Sequence, residues 1–332
     1  MLLVLIMMFN KNLEEKMEKK IIVVGVFVVD ISVYSKNLPL PGQTIIGQNY
    51  IIGPGGKGSN QAVAIARAGG KVSLIARVGD DDFGKLGLRL YDEEGVNRKL
   101  LIVDKDERTG CATISIDENG MNSILVVPSS ANGLTPEMIV NKKSSIKSSK
   151  TLITGFEIPL ETAIQSLKIG REYNCLNILN PAPYVDVNKE IWSLADYVTP
   201  NEHEAFEITG IKVKNPEDAF EAGIKLCEMG SENVVITLGS LGAVTILNGK
   251  RGKHFLPPKV PGNVIDTVGA GDVFNGAFSL SITRGKSIEE SVQFANLASS
   301  ISVRRKGAAL SSPIALEIEQ NQTENLDWFY EI

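Results

Sequence analysis

The sequence predicts an α/β fold with a mostly parallel central sheet, helices on both faces and a small β lid. Three observations lead to this fold class. Short β-branched runs recur along the chain, and helix-like stretches separate several of them. In addition, 43% of the 332 residues are hydrophobic, which suits a chain long enough to bury a sizeable core. Alternating strands and helices form parallel sheets that helices cover on both faces.

The first buried strand is predicted at residues 20–25, a β-branched run that ends in glycine. Similar apolar runs lie at residues 72–75, 151–153, 176–179, 197–198, 234–237 and 243–247. Parallel sheets of this class bind their ligands at the carboxyl ends of the strands. Glycine, Asn or Glu residues follow several of these runs, so we expect the functional site at that edge.

Two stretches depart from this pattern, at residues 32–52 and 111–127. They alternate apolar and polar residues without helix signals. Because strand side chains point alternately to opposite faces, this period indicates strands. We therefore predict antiparallel strands that leave the main sheet.

Composition excludes several classes of function. The formal net charge of −5 gives no general attraction to nucleic acid or to anionic membranes. The apolar segment at residues 1–9 is too short to span a bilayer, and no basic region precedes it. The three cysteines lie far apart and none is near a histidine at metal-ligand spacing, which indicates reduced thiols and a cytoplasmic protein.

A glycine turn at residues 269–271 leads into an apolar segment with helical spacing. The N–H groups at a helix N-terminus are unpaired, and glycines let a phosphate come close to them. We therefore expect Gly269, Ala270 and Gly271 to form an anion-binding turn. Asp272, in the first helical turn, either caps the helix and balances its dipole or takes a proton from an attacking hydroxyl.

A second glycine segment, at residues 55–60, precedes an Ala-rich helix predicted at residues 61–68. Two interpretations are open for its polar residues. Ser59 or Asn60 could cap the helix, or the backbone and Asn60 could approach a small polar ligand.

The two glycine segments together resemble the two signatures of the ribokinase-like (pfkB-type) carbohydrate kinases. The N-terminal signature is matched by Gly-Gly-Lys-Gly-Ser-Asn-Gln-Ala at residues 55–62 and the C-terminal one by Asp-Thr-Val-Gly-Ala-Gly-Asp at residues 266–272. The resemblance is nearest to the ribokinase and deoxyribokinase branches. It implies an extension at residues 1–20, a kinase domain at residues 21–320, a tail at residues 321–332, and a homodimer formed through a β lid that covers the sugar.

The resemblance also implies roles for individual residues. Asp272 would be the general base, with Gly269, Ala270 and Gly271 stabilising the transferred phosphate. The sugar-binding positions are Val28, Asp30, Gly56, Lys57, Asn60, Glu157 and Asp272. The ATP-binding positions are Asn201, Thr237, Gly239, Ser240, Gly242, Gly271 and Asn296.

Two cations are implied in the same way. Glu204, in the Asn201-x-x-Glu204 element, would act indirectly on Mg²⁺. The positions for a monovalent cation, K⁺, are Asp266, Val268, Ser302, Arg305, Gly307 and Ser311. Structural alternatives exist for two residues of the site, since Asn201 also suits a helix cap and Glu157 could simply end a strand.

The implied reaction is ATP-dependent phosphorylation of the 5-hydroxyl of ribose. Two departures leave the sugar open. Ribokinases typically have Asn where this chain has Val28, whereas deoxyribokinases have an apolar residue there, and Pro-Ser-Ser-Ala at residues 128–131 replaces the usual Gly-Ala-Asn. The alternatives are 2-deoxyribose, another sugar or a nucleoside, and, from a different class, a sugar-binding protein without catalysis.

Overall fold

The computed structural model describes residues 20–324. Residues 1–19 of the predicted extension and residues 325–332 of the predicted tail lie outside this range. In chain order the strands are β1 (Ile21–Val24), β2 (Val28–Tyr34), β3 (Asn49–Gly55), β4 (Val72–Ile75), β5 (Arg77–Gly79), β6 (Ile102–Asp104), β7 (Thr109–Ile116), β8 (Asn122–Ser129), β9 (Thr151–Gly155), β10 (Leu176–Asn180), β11 (Tyr197–Val198), β12 (Asn233–Thr237), β13 (Ala243–Leu247) and β14 (Lys250–Phe255). The helices are α1 (Lys57–Arg67), α2 (Asp82–Glu94), α3 (Pro136–Val140), α4 (Lys143–Lys147), α5 (Leu160–Glu172), α6 (Glu202–Thr209), α7 (Pro216–Glu228), α8 (Ala270–Thr283), α9 (Ile288–Ser302) and α10 (Ala315–Glu324).

The central sheet has eight strands in the order β14-β13-β12-β11-β10-β9-β1-β4. The strands from β12 to β4 pair in parallel, and β13 and β14 add an antiparallel edge. The predicted mostly parallel sheet is therefore confirmed. Sequence reasoning missed β14 because this edge strand is mainly polar and lacks the apolar run that marks a buried strand.

Helices cover both faces of the sheet, because each central strand is apolar on both sides. In β1, Ile21 and Val23 enter the core under α1, α8 and α9, whereas Ile22 and Val24 enter the core under α5, α6 and α7. Burying both faces explains why the strand shows a continuous β-branched run rather than alternation. Among the described residues, no helix is long and apolar enough to cross a bilayer.

A separate four-stranded sheet, in the order β3-β2-β7-β8, forms the lid. The predicted strands at residues 32–52 and 111–127 correspond to it, and two of its three strand pairs are antiparallel as predicted, whereas the central pair is not. β2 pairs antiparallel with β3, and β7 with β8, whereas β2 and β7 pair in parallel. Alternation of side chains does not encode strand direction, and the long connection through α1 and α2 allows the parallel arrangement. No strand is assigned between Tyr34 and Asn49.

Candidate active site

The two glycine segments meet at the N-termini of α1 and α8. Gly56, at φ 89°, precedes α1, and Gly269, at φ 76°, precedes α8. Positive φ values of this size favour glycine. Asn60 Nδ2 donates a hydrogen bond of 2.8 Å to Asp272 Oδ2, across 212 positions of sequence. The fold therefore brings the two segments into direct contact.

Asp272 does not cap its own helix. The N-cap of α8 is Gly269, without a side-chain cap, and the Asp272 carboxylate instead accepts hydrogen bonds from Asn60 and Gln61 of α1. Only 6% of Asp272 is exposed. Burial raises its pKa, while Lys57 and the two amide donors act in the opposite direction. The carboxylate is therefore held, buried, at the N-terminal end of α8.

Asn60 also does not cap a helix, because α1 begins at Lys57 and not at Gln61 as predicted. Asn60 Oδ1 is buried without a hydrogen-bond partner among the described residues. An unsatisfied buried acceptor costs about 1–3 kcal/mol, so such atoms are rare without a function. A ligand hydroxyl would satisfy this oxygen.

Glu157 caps α1 from another part of the chain. Its Oε2 accepts the N–H of Lys57 at 2.7 Å, so the residue does more than end β9. The pKa of Glu157 is raised to about 7, mainly by burial; Lys57 acts against this rise, and Asp272 and Asp30 contribute to it. Burial and the nearby Asp272 raise the pKa of Asp30 to about 6. Lys57 supplies a positive charge close to these carboxyls. The pKa of its ammonium group is raised, with Asp272 as the largest cause.

Asp30 and Val28 lie two residues apart on β2 and differ in their surroundings. A Cβ atom at Gly55 would lie 2.2 Å from Asp30 Oδ1, so glycine leaves room for this carboxylate. Val28 is only 5% exposed and belongs to the same buried apolar cluster as Ala131. Val28 and Ala131, one residue from each departure from the ribokinase pattern, therefore belong to the same apolar core on one face of the main sheet.

Five of the seven residues predicted for ATP lie at the carboxyl ends of β11 and β12, whereas Gly271 lies on α8 and Asn296 on α9. Asn201 and Glu204 form a capping box on α6, with bonds of 2.8 and 2.9 Å, so the cap interpretation of Asn201 is correct. Asn201 also forms a β-bridge with Thr237. The turn after β12 carries positive φ at Gly239 and Gly242. This arrangement presents backbone groups and the Glu204 carboxyl along one edge of the sheet.

Further contacts tie both α9 and this turn to β14. Asn296 Nδ2 donates to the Phe255 carbonyl at 3.2 Å. His254, which sequence reasoning did not select, contacts the carbonyl of Leu241 through Nε2 at 2.6 Å. A polar residue that is buried at the end of an edge strand is the signal that could have identified it. Ser240, by contrast, is exposed.

The loop predicted to bind a monovalent cation packs against the glycine turn. Asp266 accepts the N–H of Val268 and the N–H of Gly307, each at 3.0 Å. The Arg305 side chain pairs with Glu317, so only its carbonyl is available as a ligand. Ser302 and Ser311 donate to main-chain carbonyls and keep oxygen lone pairs. These carboxylate, hydroxyl and carbonyl oxygens are of the ligand type that suits K⁺.

Mg²⁺ fits a different arrangement. Among residues 20–324, no group of three or more His, Cys, Asp or Glu side chains could hold a metal ion. Mg²⁺ that arrives with a nucleotide keeps several waters and needs only one or two carboxylates. Glu204, whose pKa is raised by burial, could supply one through water.

Comparison with known proteins gives a consistent result. The pattern of the pfkB family of carbohydrate kinases matches residues 18–315. Ribokinase from Haemophilus influenzae is 36% identical over 91% of this chain and 97% of its own length. Deoxyribokinase from Salmonella typhi is 31% identical over 88% of this chain and 95% of its own length. A structure of Arabidopsis thaliana ribokinase with ribose and ATP superimposes with a TM-score of 0.85 at 30% identity, covering 91% of this chain and 98% of that one.

Proposed function

The chain belongs to the pfkB family of carbohydrate kinases and is an ATP-dependent sugar kinase, and we propose that it phosphorylates the 5-hydroxyl of D-ribose. The observation that carries this proposal is the contact between Asn60 and Asp272. It joins polar groups suited to a sugar with a carboxylate at the anion-binding end of α8. The similarity to ribokinases along nearly the whole chain supports the choice of ribose.

In the proposed reaction, Asp272 accepts the proton of the sugar hydroxyl as the hydroxyl oxygen attacks the γ-phosphorus of ATP. The new O–P bond forms while the bond to the β-phosphate oxygen breaks, which releases ADP. The turn at residues 269–271 stabilises charge on the transferred group through backbone N–H groups and the helix dipole. Mg²⁺, when bound with ATP, would neutralise phosphate charge, with Glu204 orienting its waters.

The groups that we propose bind the sugar accept hydrogen bonds from hydroxyl groups. Asp30 and Glu157 are close enough to Asp272 to interact with it electrostatically, Asn60 Oδ1 is a buried acceptor without a partner among the described residues, and Lys57 supplies the opposing charge. A neutral molecule with several hydroxyls satisfies such acceptors without adding charge to a buried site. The residues that we propose for ATP binding are Asn201, Thr237, Gly239, Ser240, Gly242, Gly271 and Asn296.

Coupled measurement of ADP release over pentoses, hexoses and nucleosides tests the function. We expect ribose or 2-deoxyribose to give the highest kcat/KM. If no sugar raises ADP release above background, the protein is a sugar-binding protein without catalysis. A hexose or nucleoside as the best substrate would contradict the pentose assignment but not the family.

Val28 favours deoxyribose as a second candidate. A site without a hydrogen-bond partner for one ribose hydroxyl discriminates weakly against a sugar that lacks it. We expect the ratio of kcat/KM for ribose over 2-deoxyribose to lie within about tenfold of unity, and Val28→Asn to shift it toward ribose by about 1–2 kcal/mol, the value of one hydrogen bond. Strong ribose preference that Val28→Asn leaves unchanged would mean that Val28 does not face the sugar. Val26→Asn, in the same apolar cluster, controls for damage to the core.

We propose that K⁺ activates the enzyme through the loop around Asp266. A bound cation would fix carbonyls in the loop that packs on the anion-binding turn. We expect a higher kcat in K⁺ than in tetramethylammonium, which is too large for such a cradle. Equal rates in the two salts, at equal ionic strength, would contradict this prediction.

We also propose a homodimer formed through the lid, in the cytoplasm. The lid carries exposed apolar side chains on β3 and β8, including Tyr50, Ile52 and Leu125. Large apolar side chains exposed together on one small sheet are typical of interaction sites. The three free cysteines agree with a reducing compartment. The molar mass in solution, measured by light scattering, tests the dimer.

A further inference from the structure

A chain of hydrogen bonds among buried neutral side chains connects the Asp272 carboxylate to the glycine turn at the N-terminus of α8. Gln61 Nε2 donates to Asp272 Oδ1 at 3.4 Å and to Asn180 Oδ1 at 3.2 Å. Asn180 Nδ2 donates to the Thr199 carbonyl at 2.9 Å. Thr199 Oγ1 contacts Asn275 Oδ1, and Asn275 Nδ2 donates to the Gly271 carbonyl at 2.9 Å. The chain thus begins at Asp272 and ends at the residue before it.

Two main-chain carbonyls fix the direction of every hydrogen bond in this chain. Because carbonyl oxygens only accept, Asn180 and Asn275 must point their Nδ2 groups at Thr199 and Gly271. The Oδ1 atoms of both residues therefore face the other way. Gln61 must then present Nε2, and Thr199 must donate its hydroxyl proton. Gln61 therefore donates a hydrogen bond to Asp272 through Nε2.

We propose that Gln61 is a positioning residue that holds the Asp272 carboxylate ionised and oriented, and that the chain through Asn180, Thr199 and Asn275 locks this base to the anion-binding turn. The inference rests on the proposed role of Asp272 as the base. Both Nε2 protons of Gln61 are used, and the four side chains come from α1, β10, the segment after β11, and α8. All four residues are buried.

The arrangement has a chemical consequence. A general base must be ionised before it can accept a proton, and a hydrogen bond to the charged form favours that form. The charged groups that act on Asp272 are Lys57 on α1, Asp30 on β2, Glu157 after β9 and Glu204 on α6. Three of the four are carboxyls, which oppose ionisation. Neutral donors such as Gln61 counter them without adding charge.

The first test compares Gln61→Met, which keeps the length but donates nothing, with Gln61→Glu. We expect the acid limb of the kcat–pH profile to move to higher pH by about one unit in Gln61→Met and further in Gln61→Glu, which adds a carboxyl beside Asp272. KM for the sugar should change less than kcat. Tyr91→Phe is the control, because it removes another buried hydrogen bond to α1, at Ser59. The inference is overturned if neither Gln61 variant moves the acid limb, or if Tyr91→Phe moves it equally.

A second readout does not depend on activity. Carboxyl ¹³C signals of labelled aspartate are titrated by NMR, and Asp272→Asn assigns the resonance of Asp272. We expect its pKa to rise in Gln61→Met and to stay unchanged in Tyr91→Phe. If no sugar is phosphorylated at all, the proposed function fails, but the titration still shows whether the hydrogen bond from Gln61 lowers the pKa of Asp272. An unchanged Asp272 titration in both Gln61 variants overturns the inference.

The connection to the turn is tested with Thr199→Val, which removes the hydroxyl donor but keeps the shape of the side chain. We expect kcat to fall several-fold. Residues of one network couple, so the loss in the Gln61→Met, Thr199→Val double variant should be smaller than the product of the two single losses. Fully multiplicative losses would show that Gln61 and Thr199 act separately and would overturn the continuous chain.

Discussion

Asp272→Asn should lower kcat by about 10²–10⁴-fold, the usual contribution of a general base, while the affinity for the sugar stays nearly the same. The amide has the same shape as the carboxylate, its oxygen can accept the hydrogen bond from Gln61, and its NH₂ group can donate to Asn60 once Asn60 turns its unpartnered Oδ1 toward it. It cannot take a proton from the attacking hydroxyl. Steady-state kinetics and calorimetric titration with ribose measure the two quantities separately. Near-normal turnover would contradict the assignment of Asp272 as the base.

Stability provides a check that the loss of activity is not unfolding. Burial raises the pKa of Asp272 in the folded protein, so folding binds its proton more tightly and the free energy of unfolding falls as pH rises through that pKa. A neutral amide at position 272 does not titrate, so the free energy of unfolding of the variant does not fall with pH for this reason. We therefore expect the Tm of Asp272→Asn to equal or exceed that of the wild type at pH 8, with the difference reduced in acid.

Asp81→Asn serves as the matched control, because the contribution of Asp81 to stability changes with pH in the opposite direction. Asp81 caps α2 and accepts hydrogen bonds from Gly84 and Thr109, and these bonds lower its pKa despite burial. Its charge therefore stabilises the fold above its unfolded pKa, and the contribution is lost as pH falls. We expect Asp81→Asn to lower Tm at pH 8 and to leave kcat within a few-fold. A large loss of kcat in this variant would instead indicate a general sensitivity of the fold.

The sequence was a good guide to the sheet, because buried parallel strands require continuous apolar runs. It was a poorer guide to features that depend on distant residues. The start of α1 is an example, since Lys57 and Gly58 precede the Ala-rich run and glycine is a weak helix former. The helix nevertheless begins at Lys57, where the Glu157 carboxylate accepts its first N–H from 100 positions away. No local pattern contains that contact.

The same limit applies within the site. The signature residues Asn60 and Asp272 could be selected from their motifs, and the fold joins them by a hydrogen bond. Asn180, Thr199 and Asn275 lie outside the two signatures, since Asn180 and Thr199 follow strand runs and Asn275 lies three residues after the C-terminal signature. Their positions in the sequence do not identify their hydrogen-bond partners. The identity of the partner depends on packing among β10, β11 and α8.

Gly269→Ala should lower both activity and stability, with kcat reduced by about 10²–10³-fold, the effect of losing one donor to a developing charge. Gly269 has φ 76°, and a Cβ atom there would lie 2.7 Å from Ala308 Cα. The new methyl group meets backbone, so the turn and the loop at Ala308 must separate. Kinetics and a thermal melt measure the two effects.

Gly271→Ala is the matched substitution in the same turn. Gly271 is the second residue of α8, and a Cβ atom there meets nothing within 4 Å. Replacing glycine by alanine in a helix stabilises it by up to about 1 kcal/mol, so Tm should not fall. If the γ-phosphate approaches this turn, the methyl group obstructs it and kcat still falls. Wild-type kcat in Gly271→Ala would mean that the phosphate binds elsewhere.

The pair of glycine variants also separates the phosphate site from the cation loop. Ala308 follows Gly307, whose N–H donates a hydrogen bond to Asp266. Because Gly269→Ala displaces Ala308, we expect it to disturb the proposed K⁺ site. Gly271→Ala touches neither residue. We therefore expect K⁺ activation to be lost in Gly269→Ala and retained in Gly271→Ala, measured as the ratio of kcat in K⁺ and in tetramethylammonium. Equal K⁺ activation in both variants would contradict the coupling of the loop to the turn.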